Sequence, residues 1–289
     1  MIEEATEFAS ILTGSERIYG DTDSIFIRFP DKSLSIDQVF AKCYQLEKDF
    51  KEIYPANDDN PNKLEFEKVL VNLLMCAKKK YVSLKYESPK DVGKVDPHGV
   101  EIVRRDNAKF LVQLQTDFFE RLIRHGDVNG ACGVVETYTR RLTSGQVDLA
   151  DLVISKKYAK ANYKNVPIHV FLNNKLRRRC AATAYNCGDR IPYIVMSGSA
   201  PVTERGEDPA YVREHNVPVD LNYYFKTMVE KPMIRLLEPV VGKNQTRMLL
   251  SRGKVGAMDR FITRKRDSTE VKQVDKPAKK KTKQTVLRF

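Results

Sequence analysis

Apolar positions fall into two rhythms along this chain. Ile25, Ile27 and Phe29 alternate with Phe26 and Arg28, the period of a strand, and Gly20-Asp21 just before them marks a tight turn. Residues 19–24, Tyr-Gly-Asp-Thr-Asp-Ser, are therefore expected at the tip of a hairpin. Upstream, residues 1–12 are good helix formers, and Ile2, Phe8, Ile11 and Leu12 are placed to share a face. Ile36, Val39, Phe40, Cys43, Leu46, Phe50 and Ile53 recur at helical spacing behind Ser35-x-x-Gln38, the signature of a capping box. Residues 57–62 read as a loop. Glu65, Phe66 and Glu67 predict a short strand, with the glutamates on one face and Phe66 on the other.

From about residue 104 the pattern turns helical. Phe110, Leu111, Leu114, Phe118 and Leu122 form one stripe, and Val134, Val135, Tyr138 and Leu142 the next. Asp220 is placed to cap a helix bearing Leu221, Tyr224, Phe225 and Met228. Pro232 should end or kink that helix, with Met233, Leu236 and Leu237 continuing the apolar set beyond it. The sum is an α+β chain: antiparallel strands first, mostly helices after.

Charge adds a partner class. The chain has 289 residues and a formal net charge of +12, of which residues 264–289 carry +7 through ten Lys/Arg and three Asp/Glu. Basic charge is the footprint of a polyanion. The last stretch is poor in apolar residues and is expected to be disordered. Cys43, Cys76, Cys132, Cys180 and Cys187 include no Cys-x-x-Cys pair, which argues against structural zinc and suits a reducing, intracellular setting. No apolar run approaches the ~18–20 residues that span a bilayer, so no membrane partner is expected. His98, His125, His169 and His215 show no metal spacing, and none is expected to be catalytic.

Asp21 and Asp23, two residues apart at a turn, suggest a magnesium site. Magnesium takes oxygen ligands octahedrally, commonly one or two carboxylates with substrate phosphates. The alternative is an Asp-Thr-Asp turn with its side chains satisfied and no metal.

The residues around and downstream of the acidic pair decide between the two. Tyr19-Gly20-Asp21-Thr22-Asp23-Ser24-Ile25-Phe26 resembles motif C of family B DNA polymerases. Leu64-Glu65-Phe66-Glu67-Lys68-Val69 is similar to the acidic strand of the palm, and Lys78-Lys79-Lys80-Tyr81 to the primer-grip motif after it. Residues 99–107 resemble the start of the thumb. Residues 188–193, 207–224 and 235–239 resemble later thumb segments, closest to the delta branch that includes polymerases of large DNA viruses. The resemblance covers residues 1–262. The family's motif A, motif B, exonuclease motifs, fingers and terminal cysteine clusters are absent. Ser83 stands where the family usually has glycine.

The resemblance implies the end of a palm over 1–103, a thumb over 104–262 and a flexible basic tail over 263–289. It implies DNA-directed DNA polymerase chemistry with two Mg2+ ions in the complete site. Asp23 is the expected ligand of both ions and Asp21 the weaker one, with Glu65 and Glu67 as further candidates. Lys78, Lys79, Lys80, Tyr81, Arg104, Arg105, Lys156, Lys157 and Arg190 are the expected primer and DNA contacts. The implied partners are primer-template DNA, dNTP and a polypeptide carrying motif A and the fingers. Gln284, Leu287 and Phe289 form a partial sliding-clamp-binding pattern. The implied location is a site of DNA replication, in a nucleus or a viral replication compartment. A non-catalytic primer-template or clamp-binding module is the rival reading.

Overall fold

A computed structural model describes residues 2–55, 63–160 and 162–262. The loop expected at 57–62, the basic tail and the Gln284, Leu287, Phe289 peptide lie outside these. The chain forms two compact units. Among the described residues, one holds the chain up to His98 with Ile123–Gly126, and the other holds Gly99–Leu122 and Asp127–Ile262.

The first unit opens with helix α1 (Ile2–Thr13), then the hairpin of β1 (Glu16–Asp21) and β2 (Ser24–Arg28). Helix α2 (Ile36–Ile53) starts at the expected capping box: Gln38 N–H donates to Ser35 Oγ, and the Gln38 side chain accepts from Ser35 N–H. Strands β3 (Val69–Ala77), β4 (Lys80–Tyr86) and β5 (Lys94–His98) make an antiparallel sheet in that order. Pro97 is tolerated because β5 is an edge. Ala5, Ala9, Phe40, Leu46 and Phe50 are buried between the two helices and their neighbours. Phe8 packs edge-on against Phe50, 5.3 Å between centroids, whereas Ile11 is 75% exposed and does not join the predicted face.

The strand expected at 65–67 does not form. Residues 63–68 keep the alternation of exposed and half-buried positions but lie outside any ladder, and β3 begins only at Val69. The alternation is legible in sequence, but a strand also needs a partner edge. The Phe66 N–H is met by the Glu47 carboxylate at 3.1 Å instead. The β1–β2 sheet likewise has two strands among the described residues. A cavity of about 290 Å³ lies beside them, lined by Ile25 and Ile27 of β2, by Leu64 and Phe66, and by Val39 and Leu46 of α2.

The second unit is mostly helical. Helices α3 (Lys109–Phe119) and α4 (Val128–Thr143) bury Phe110, Leu114, Phe118, Val135 and Leu142 along the predicted stripes. Strand β6 (Ile154–Lys157), helix α5 (Ile168–Arg179) and strands β7 (Arg190–Val195) and β8 (Gly206–Glu207) add a small antiparallel sheet, ordered β6-β7-β8, that helical periodicity does not announce. The short α6 (Pro209–Glu214) comes next. Asp220 caps α7 (Leu221–Tyr224) by accepting from Tyr223 N–H at 2.8 Å.

Pro232 does not end the run. Phe225–Glu230 form a π-helical stretch, and α8 (Lys231–Val241) carries Pro232 in its first turn. A proline gives no N–H and crowds the preceding turn. The wider π turn accommodates both, and the helical course continues. The last described helix, α9 (Lys243–Ile262), packs on α4 and α8.

Candidate active site and nucleic-acid interface

Asp21 pairs with Ser24 at the end of the β1–β2 ladder, leaving Thr22 and Asp23 as the turn. Thr22 adopts φ +48°, a left-handed conformation that a β-branched residue resists. The turn is pinned around Asp21. The Asp23 N–H donates to the Asp21 carbonyl at 2.5 Å, Ser24 Oγ donates to the same carbonyl at 3.2 Å, and Thr22 Oγ donates to Asp21 Oδ1 at 3.3 Å. Asp23 is exposed; the Asp21 side chain is 24% exposed.

A second hairpin tip meets this one. Ala77 pairs with Lys80, so Lys78 and Lys79 turn the chain from β3 to β4. Lys79 has φ +61°. Its backbone N–H donates to the Tyr19 hydroxyl at 3.0 Å, and its Nζ lies 3.3 Å from Asp21 Oδ1. Tyr81, near the start of β4, packs edge-on against Phe26 at 5.4 Å and stacks on His98 at 4.6 Å. His98 in turn touches Asp96 Oδ2 at 2.8 Å. Burial, then the Asp96 charge, pushes the Tyr81 phenol above its usual range, so it keeps its proton as a donor.

Glu65 and Glu67 line the same cavity as Asp23, and Glu67 acts on Tyr81 together with Asp21, but neither glutamate bonds the acidic turn in any described contact. Glu67 is exposed and bonds Lys68 at 2.9 Å. Glu65 acts on Lys51, whose Nζ contacts Glu47.

In the second unit, Arg104 Nε lies 3.5 Å from Asp106. Lys156 and Lys157 sit on β6, half-buried and exposed respectively. Arg190 bonds to backbone: it donates to the Arg105 carbonyl at 2.9 Å, to Ser155 Oγ at 3.2 Å and to the Ser155 carbonyl. These bonds fasten β7, β6 and the Arg104–Asp106 segment to one another.

Residues 3–240 match the family model described as DNA polymerase family B. The chain belongs to that family.

Among its relatives, the DNA polymerase delta catalytic subunit of Drosophila melanogaster is 34% identical over 260 residues, covering 86% of this chain and 23% of the relative. That of Arabidopsis thaliana is 38% identical over 240 residues, covering 82% and 21%. The family B DNA polymerase of Pyrobaculum calidifontis has a similar structure, with TM-score 0.58 and 26% identity over 82% of this chain and 28% of that one. The family B chain thus spans about a fifth to a quarter of the length of the curated relatives it matches.

As a magnesium site the acidic tip is a partial fit. Two oxygen-donor side chains sit at one turn, and among the described residues no group of three or more His, Cys, Asp or Glu side chains is arranged to hold a metal ion. Octahedral magnesium takes one or two carboxylates and fills its remaining positions from water and phosphate. Tyr19, Asp96 and His98 have no role that sequence spacing reveals, yet they build the support under Lys79 and Tyr81. The signal is the register of β4 on β5, which sets Tyr81 opposite His98, and local spacing does not carry it. Among the described residues, no helix is long and apolar enough to cross a membrane.

Proposed function

We propose that this chain supplies the C-terminal palm and thumb of a DNA-directed DNA polymerase, the palm part over residues 1–103 and the thumb over 104–262. What carries the reading is the meeting of the acidic turn with the Lys78–Tyr81 turn in a family B chain. The reaction would be template-directed nucleotidyl transfer: the primer 3′ hydroxyl attacks the α-phosphorus of a dNTP and pyrophosphate leaves. Bound magnesium would supply charge neutralisation at the reacting phosphate. Asp23, exposed, and Asp21, behind it, would hold the two ions of the complete site.

The chain's own share is positioning. Lys78 and Lys80 neutralise primer phosphates without reading sequence. Tyr81, wedged between Phe26 and His98, offers a fixed hydroxyl near the primer end, where small misplacement is costly. Arg104, Arg105, Lys156 and Lys157 would track duplex phosphates, and Arg190 would order their backbone. The polypeptide carrying motif A and the fingers would complete the first unit. The two-stranded β1–β2 sheet, the unladdered 63–68 segment and the apolar cavity beside them support that reading. Gln284, Leu287 and Phe289 remain a clamp-binding proposal from sequence alone. The site of action would be where DNA is replicated, the nucleus or a viral replication compartment.

Primer extension with Mg2+ tests this, using the chain alone and mixed with a polypeptide supplying motif A and the fingers. Extension in the mixture, abolished by Asp23→Ala, is expected. No extension in either, with salt-sensitive duplex binding retained, would favour the non-catalytic module, a reading that the two-carboxylate site also suits.

A further inference from the structure

Lys79 faces two kinds of partner. Its ammonium lies 3.3 Å from Asp21 Oδ1, yet it belongs to the basic turn assigned to nucleic-acid phosphate. Its backbone is fixed beside the acidic tip. The Tyr19 hydroxyl holds its N–H at 3.0 Å, its backbone is left-handed at φ +61°, and its side chain reaches the acidic tip. Lys78 and Lys80 flank it with the same charge, but neither pairs with a carboxylate among the described residues.

We propose that Lys79 is a tethered counter-ion that exchanges between Asp21 and the nucleic-acid backbone, so that divalent-cation binding at the acidic turn and duplex binding at the basic turn favour each other. This rests on the reading that Asp21 and Asp23 take a metal and the β3–β4 turn takes phosphate. Without metal, the Lys79 ammonium sits beside Asp21 Oδ1 as its counter-charge. A divalent ion arriving at Asp21 repels that ammonium and releases it to a phosphate. Conversely, a phosphate that draws Lys79 away uncovers Asp21 Oδ1 for the ion. Linkage makes the factor equal in both directions. The Lys79 side chain is 63% exposed, so the factor is that of a solvated pair, about two- to fivefold.

The test measures Mn2+ binding to the full chain by the paramagnetic resonance of free manganese, with and without a primer-template duplex. Without duplex, Lys79→Gln should bind Mn2+ about two- to fivefold tighter than the unaltered chain. Duplex should tighten Mn2+ binding to the unaltered chain by a similar factor and change Lys79→Gln little. Lys78→Gln should weaken duplex binding while keeping the coupling. Equal effects of the two substitutions on Mn2+ would overturn the proposal, since generic charge would then explain both. So would independent binding of Mn2+ and duplex to the unaltered chain. Mn2+ binding that survives Asp21→Asn with Asp23→Asn, or no duplex binding at all, would remove the functional reading itself and this proposal with it.

Discussion

Replacing Arg179 with methionine should cost the second unit about 2–3 kcal/mol. Glu207, 2% exposed, receives the Arg179 guanidinium in a two-bond fork, 2.8 Å to Oε1 and 2.9 Å to Oε2. The same guanidinium lies 4.7 Å over the Tyr211 ring. Removing one partner of a fully buried pair costs about 3–5 kcal/mol, because the survivor keeps its charge without compensation. Two features reduce that figure here. The Arg179 side chain is 45% exposed, so water reaches Glu207 once it is gone, and Lys175 Nζ at 4.0 Å and Asp208 N–H at 3.2 Å remain beside the carboxylate. The assay is urea unfolding of the chain, Arg179→Met, Glu207→Gln and the double variant, monitored by circular dichroism. Glu207→Gln should cost about 1 kcal/mol, since the arginine left behind is hydrated. The double variant should fall short of the summed singles by at least about 1 kcal/mol. A loss below about 0.5 kcal/mol for Arg179→Met, or strictly additive singles, would refute the idea that this pair holds α5 on β8.

Ser83 is fully buried, and its hydroxyl has no partner among the described residues. Ser83→Ala should therefore raise stability by about 1 kcal/mol, read as a higher urea midpoint at unchanged slope; a lower midpoint would mean the hydroxyl is satisfied. His169 lies between Tyr163 and Tyr193, and burial, with Lys156 nearby, holds its pKa below the ordinary 6.5. The unfolded chain then binds the proton more readily than the folded one. The histidine's contribution is complete above about pH 6.5 and is lost as pH falls below it, so His169→Phe should flatten the stability curve between about pH 5 and 7. An unchanged slope in that window would show that His169 is not the group responsible.

Local rules make much of the first unit legible. The Ser35–Gln38 capping box, most of the α2 stripe and the hairpin tip depend on residues within a few positions of one another, although the turn falls at Thr22–Asp23, two residues past Gly20-Asp21, and Ile53 at the end of the stripe is exposed. The α+β class comes from the same periodicities, and the alternation at 63–68 is real as well. A ladder there depends on an edge that no local pattern reports. Pro232 shows the converse: a strong local breaker is absorbed by a six-residue π stretch, Phe225–Glu230, just before it. At the candidate site, spacing picks out Asp21, Asp23 and the lysine turn. The contact of Lys79 with Asp21 and the stacking of Tyr81 on His98 come from strand register and from two turns in left-handed conformations, at Thr22 and Lys79.

The open side of the β1–β2 hairpin has a consequence for how such a chain is handled. Among the described residues β1 and β2 ladder with each other and with no third strand, and a strand edge without a ladder partner can accept an extended segment, including the same segment from another molecule. Together with Ile11 and Leu12 standing in solvent on α1, it makes the first unit prone to self-association whenever it is made alone. Yield and solubility should then depend on timing. If the proposed polypeptide with motif A completes this sheet, one present during synthesis would meet an unoccupied edge, whereas one added later would compete with edges already joined to each other.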